Sequence, residues 1–263
     1  MNVFLIDAPD DPRIAPYMNI RDRDLNDAHG GGFIAEGESV LNVFLRQDRF
    51  ETVSLLVAQS RLKTVEAMVG DNPLPVYAAP QAVMDAIVGF PIHRGLLGLG
   101  RRGTPPTSAE LLKGRPPLVL GLAGIANHDN MGGIFRNAAA FGVGAVLLDA
   151  TCCDPLYRKA LRVSVGGCLA VPYARAAADQ SLVTLLSDAG YVVYGLSPRG
   201  SIRLDQIDRD RPAALLLGAE GPGLTDAVLD AVTSVRIDMS GGFDSLNVAT
   251  TSGIALYEMT RRA

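Results

Sequence analysis

Few folds accommodate a chain that turns from strand to helix across the glycines between Val235 and Glu258. Val235 to Met239 reads as a strand, and Ser240, Gly241 and Gly242 break it. Two adjacent glycines permit positive φ and the close approach of another group. A helix follows, with Asp244 or Ser245 expected at its N-cap. Its first turns are nearly all small: Ala249, Thr250, Thr251, Ser252, Gly253 and Ala255. Side chains of that size let a second backbone or a ligand come close. A unit of the same design lies just upstream. Ala213 to Leu217 is a short apolar strand, Gly218-Ala219-Glu220-Gly221-Pro222-Gly223-Leu224 is a glycine turn, and Thr225 caps a helix through Ala231. Such turns bind small molecules at the carboxyl edge of parallel sheets, and the same residues also make plain tight turns. In a third stretch the strand Leu118 to Leu122 feeds a helix with Asn130 at its start. Ile134, Ala138 and Phe141 form its apolar face, and Gly142 ends it. Asn130 and Arg136 are six positions apart and so point to different sides. Taken alone they read as an N-cap and a solvated arginine.

The 263 residues suit two domains or one large one, and a hydrophobic content of 48% is ample for buried cores. No run approaches the roughly 18 to 20 apolar residues of a membrane span. The N-terminus has no basic region before its short apolar run and is a poor signal peptide. Cys152, Cys153 and Cys168 are odd in number and lack metal spacing, as expected of reduced thiols in a cytoplasmic protein. His29, His93 and His128 fall in no metal or triad pattern, and no G-x-S-x-G occurs, so neither a metal site nor a hydrolase is expected. The net charge of −4 argues against a protein that coats nucleic acid generally. It leaves room for a local basic stripe.

An N-terminal extension, residues 1–27, reads either as a wrap over the first domain or as a loose tail. Residues 28–97 alternate helix and strand as a small α/β domain. Residues 98–117 read as a linker. Within it, Gly98-Leu99-Gly100-Arg101-Arg102-Gly103 matches a dinucleotide-binding pattern, but Thr104-Pro105-Pro106 leaves no helix to receive a pyrophosphate. Arg94, Arg101, Arg102, Lys113 and Arg115 stand against Glu110 alone. They are a phosphate-backbone contact or a merely solvated linker. Residues 118–263 form a mostly parallel sheet with helices on both faces.

The three motif stretches, in order, resemble those of the SpoU (TrmH) family of RNA 2′-O-methyltransferases. The first is Asn130-x-Gly132-x-x-x-Arg136-x-Ala138-x-x-Phe141-Gly142; the second is Gly218-x-Glu220-Gly221-x-Gly223-Leu224. The third is Ile237-x-Met239 followed by Ser245-Leu246-Asn247-Val248. Asp238 stands where the family commonly has proline, and Ala219 where part of it has asparagine. Ala219 is also seen in the branch that methylates ribosomal RNA. More weakly, residues 33–38 and His93-Arg94-Gly95 resemble the family's N-terminal substrate-binding domain, and Tyr157 to Gly166 its Lys/Arg-rich segment. The resemblance implies a C-terminal trefoil-knotted α/β methyltransferase domain (the SPOUT, or α/β-knot, fold) beside a smaller RNA-binding α/β domain. It implies S-adenosylmethionine as cofactor, RNA (ribosomal before transfer) as substrate, and a homodimer. Gly218, Ile237, Met239 and Leu246 are then expected to line an adenosine pocket, with Glu220, Ser245 and Asn247 as its polar floor. Asn130 and Arg136 are expected to face the RNA. A guanidinium is a poor base near neutrality, so Arg136 suits a phosphate clamp better than proton removal. The alternative is an inactive RNA-binding module that kept the fold.

Overall fold

The computed structural model describes residues 1–18, 31–88, 95–240 and 245–261. The chain packs as two units: Met1–Thr104 with Leu156–Ala170, and Pro105–Pro155 with Val171–Ala263.

The first unit is built on a five-stranded sheet of β1 (Asn2–Leu5), β2 (Gly32–Glu36), β3 (Glu51–Ala58), β4 (Pro75–Ala79) and β5 (Leu96–Arg101). Its order is β1-β4-β3-β5-β2. β1, β4 and β3 run parallel, and β5 is antiparallel to both of its neighbours. The helices are α1 (Glu38–Phe44), α2 (Leu62–Val69) and α3 (Gln81–Val88). Residues 1–18 are built into this unit. Ile6, Ile14 and Tyr17 are fully buried, and the Tyr17 hydroxyl bonds Ser54 Oγ at 2.8 Å.

The first four residues of the stretch 98–117, expected to be linker, belong to the strand β5. Its glycines leave room for apolar side chains of the core. A Cβ on Gly100 would fall 2.3 Å from Phe33 Cζ, and one on Gly98 2.6 Å from Leu41 Cδ2. Two short helices from further along the chain, α6 (Arg158–Val163) and α7 (Gly167–Ala170), complete the unit. Arg162 Nη1 lies 3.7 Å from Glu36 Oε2, Arg49 Nη1 donates to Leu169 O at 3.4 Å, and Gly166 abuts Val43. His29, His93 and Arg94 lie outside the described residues.

The second unit is a seven-stranded parallel sheet: β6 (Leu118–Leu122), β7 (Ala145–Leu148), β8 (Tyr173–Arg175), β9 (Val192–Leu196), β10 (Ile202–Arg203), β11 (Ala213–Leu217) and β12 (Thr233–Arg236). The order is β10-β12-β9-β11-β6-β7-β8. β6, β7 and β11 are buried along their whole length, which is why they read as unbroken apolar runs and not as alternating ones. The helices are α4 (Ser108–Lys113), α5 (His128–Ala140), α8 (Leu182–Asp188), α9 (Asp226–Asp230) and α10 (Val248–Thr260). A reciprocal Thr107–Glu110 capping box starts α4.

Two local expectations are corrected. The strand expected over Val235 to Met239 is β12, Thr233–Arg236, and stops short of Met239. The N-cap of α10 is Asn247, not Asp244 or Ser245. Its Oδ1 accepts from Ala249 N at 2.9 Å and from Thr250 N at 3.3 Å, the bonding a cap requires. Gly241, Gly242, Phe243 and Asp244 lie outside the described residues.

The small residues of α10 serve mainly a helix pair. A Cβ on Gly133 of α5 would fall 2.6 Å from Ala249 Cβ, so the two backbones approach closely there. Asn137 of α5 donates to Ala249 O at 2.7 Å and to Ser252 Oγ at 2.9 Å.

Candidate active site

From β6 the chain moves outward to β7 and β8, then returns to β9 on the other side, and β11 fills the place between β6 and β9. Loops diverge at such a switch point and leave a crevice beyond the carboxyl ends of the strands. Here the loops after β9, β11 and β12, with the start of α10, enclose a cleft of about 390 Å³. Its apolar lining comes from Leu196, Pro198, Leu217, Ile237, Met239 and Leu246; Ser197, Glu220, Ser245, Asn247 and Thr251 supply polar groups.

The glycine turn after β11 folds back on itself, with Gly223 N donating to Ala219 O at 2.9 Å. A Cβ on Gly218 would lie 2.2 Å from Gly223 C and 2.3 Å from Leu224 N. Backbone cannot yield as a side-chain tip can, so only glycine closes this turn. Gly221, at its tip, has φ +91°, a conformation that favours glycine.

Gly218, Ile237, Met239 and Leu246 all line the cleft, as do Glu220, Ser245 and Asn247. Asn130 does not face outward. It is 5% exposed, and the cap of α5 is Asn127, whose Oδ1 accepts from Asp129 N and Asn130 N. Asn130 Nδ2 donates to Glu220 Oε2 at 2.9 Å, and its Oδ1 accepts from Asn247 Nδ2 at 2.8 Å. The polarity of this chain is set at the cap. Asn247 Oδ1 is taken by the backbone amides of the first turn of α10, so its NH2 must donate to Asn130 Oδ1, which leaves the Asn130 NH2 for Glu220. Among the described residues no hydrogen bond reaches Glu220 Oε1. One bonded chain thus joins all three motif stretches at the cleft.

Arg136 lies on the exposed face of α5, outside the lining, and makes no hydrogen bond or ion pair among the described residues. Asn130 and Arg136 therefore do point apart, as their spacing requires. No cysteine is among the residues that line the cleft. Burial pushes the Cys152 thiol up to about 12 and the Cys153 thiol up to about 11.

The wall formed by Leu196, Ser197 and Pro198 escaped the sequence reading. Its one signal was position, a Ser-Pro turn directly after a buried strand. Asn137, which ties α5 to α10, carried no signal beyond being polar on an otherwise small-residue face.

The sequence model of the SpoU rRNA Methylase family matches residues 117–257. An uncharacterised tRNA/rRNA methyltransferase of Mycobacterium bovis is 39% identical over 262 residues, covering 96% of this chain and 90% of the relative. The fold is similar to that of an AdoMet-bound rRNA methyltransferase from Sinorhizobium meliloti, with a TM-score of 0.80 and 23% identity over 98% of this chain and 97% of that one. It is also similar to an RNA 2′-O ribose methyltransferase, with a TM-score of 0.75 and 24% identity over 97% and 98% of the two chains. The match spans β6 to α10, the same stretch that supplies the cleft and its bonded Glu220–Asn130–Asn247 chain, and on these grounds the protein belongs to the SpoU rRNA methylase family.

Proposed function

We propose that this protein is a cytoplasmic, S-adenosylmethionine-dependent methyltransferase acting on a ribose 2′-hydroxyl of structured RNA, ribosomal RNA before transfer RNA. The observation that carries the reading is the hydrogen-bonded chain Glu220–Asn130–Asn247, which commits one residue from each motif to a single cleft. An inactive RNA-binding module would have no use for that arrangement.

The residues present fit the cofactor. Leu196, Ile237, Met239 and Leu246 offer apolar faces for an adenine. The turn at Gly218, which a Cβ would block, keeps backbone groups at the edge of the cleft. When bound, S-adenosylmethionine would supply an electrophilic methyl group and leave as S-adenosylhomocysteine. Asn130 holds the Glu220 carboxylate in place, and Glu220 Oε1 accepts a hydrogen bond from the target hydroxyl, aligning its oxygen and passing its proton to solvent as the new bond forms. Arg136 binds the adjoining phosphate and stabilises negative charge developing on that oxygen. Neither the buried Cys152 thiol nor the half-buried Cys153 thiol serves as a nucleophile, which disfavours methylation at a base carbon. The protein works as a homodimer. Ala255 is fully buried inside the unit, so the pairing face of α10 is the one carrying Ile254 and Tyr257, 40% and 57% exposed. Light scattering should give the mass of two chains.

Labelled cofactor, offered with ribosomal subunits and bulk RNA, should mark one position that then resists alkaline cleavage. The same RNA with a 2′-deoxy nucleotide at that position should accept no methyl. Transfer to the deoxy substrate defeats the assignment. Arg136→Ala should lower turnover by about 10²-fold, the scale for losing one charge-stabilising donor, and leave cofactor affinity unchanged.

A further inference from the structure

Arg236, the last residue of β12, holds together two stretches of the cleft lining. Its Nη1 donates to Gly200 O at 2.9 Å and to Ser201 O at 3.5 Å, and its Nε donates to Asp238 Oδ1 at 3.0 Å. The loop ending at Gly200 supplies Ser197 and Pro198 to the lining; the residues on either side of Asp238, Ile237 and Met239, supply more of it. The ladder of β12 ends at Arg236, so the Ile237–Met239 stretch is held by no strand pairing. Asp238 Oδ2 lies 3.3 Å from Arg203 Nε, which gives the carboxylate a second cation. Gly200 is pressed onto the strand, since a Cβ there would fall 2.2 Å from Val235 C, so the loop can shift only by moving off β12.

We propose that Arg236 and Asp238 are a positioning pair that fixes the spacing of these two lining stretches, and through it the affinity for the adenosine part of the cofactor. The proposal rests on reading the cleft as the cofactor site. Neither side chain lines the 390 Å³ cleft, but both line an adjoining cavity of about 590 Å³ that shares Leu196, Ser197, Pro198, Ile237, Met239 and Ser245 with it. The pair's side chains are 35% and 53% exposed, so its worth to global stability is small. What it sets is local geometry.

The test measures S-adenosylhomocysteine affinity by calorimetry for the wild type, Asp238→Asn, Arg236→Met, the double variant and Asp238→Glu. Each of the first two should weaken binding by about three- to tenfold, the scale of one charge-assisted hydrogen bond. Their unliganded thermal midpoints should stay at the wild-type value. The double variant should bind no worse than the weaker single one, because both remove the same contact. Asp238→Glu should restore affinity. If Asp238→Asn fails to fold, Arg203→Met, which removes the outer partner of Asp238 along with the Arg203–Asp205 ion pair, carries the test with an expected loss of about twofold. Wild-type affinity in both single variants, additive losses in the double variant, or losses that track falling thermal midpoints would each overturn the pair's positioning role. A wild type that binds no S-adenosylhomocysteine removes the cofactor reading itself, and the proposal with it.

Discussion

Two glycine-rich stretches, Gly98 to Gly103 in the first unit and Gly218 to Gly223 in the second, look alike in sequence and are put to opposite uses. In β5 the missing side chains are replaced by the neighbours' own: Leu41, Phe33 and Phe44 fill the space above Gly98 and Gly100. Phe33 meets Phe44 and Phe50 edge-on across that space. After β11 the missing side chain lets backbone lie on backbone at Gly218, while Gly221 has no atom within 4 Å of where its Cβ would stand. Glycine inside β5 makes room for the side chains of a core; glycine just beyond the end of β11 lets a backbone turn close at Gly218 and leaves open space at Gly221. Position relative to the strand end, more than the spacing of the glycines, separates the two.

The sharpest way to break this contrast is to fill each space. Gly218→Val should abolish S-adenosylhomocysteine binding, a loss of about 100-fold or more by calorimetry, because the obstacle is backbone. Gly100→Val should instead cost about 1–3 kcal/mol of folding stability, as overpacking does, read as a lowered denaturant midpoint. Its cofactor affinity should match the wild type; a loss as large as that of Gly218→Val would dissolve the distinction. Gly221→Ala meets open space and adds only backbone strain, about 1–2 kcal/mol, so affinity should fall by roughly thirtyfold at most. The smallest effect should come from thiol modification, which touches neither stretch. With Cys152 and Cys153 pushed up to about 12 and about 11, both remain protonated at pH 8. Iodoacetamide should label them far more slowly than free cysteine, and faster only as pH climbs toward those values.

In the second unit β6 and β11 were legible because buried parallel strands leave unbroken apolar runs, and α9 because its cap is Thr225. Two kinds of information were not. The cap of α10 fell to Asn247 because Asn130, more than a hundred positions away, holds its amide in the capping orientation. Local sequence had offered Asp244 and Ser245 as equals. β5 was read as linker because its glycines look like punctuation until the Phe33 and Phe44 rings that cover them are in place. The motif residues were legible as members of a site, but the inward turn of Asn130 was not. Its partner Glu220 is ninety positions away.

The segment 156–170, which lies within the span of the second unit and packs in the first, has a consequence for synthesis. Neither unit is a continuous run of chain. When the ribosome has delivered Thr104, the first unit still lacks the two helices that cover β2 and α1. By the time they emerge, β6, α5 and β7 are already outside and without the later strands of their own sheet. The usual order, in which an N-terminal domain closes before the next begins, is not open to this chain. Its two halves must wait on each other, and a nascent protein stalled between residues 104 and 170 carries two unfinished cores at once.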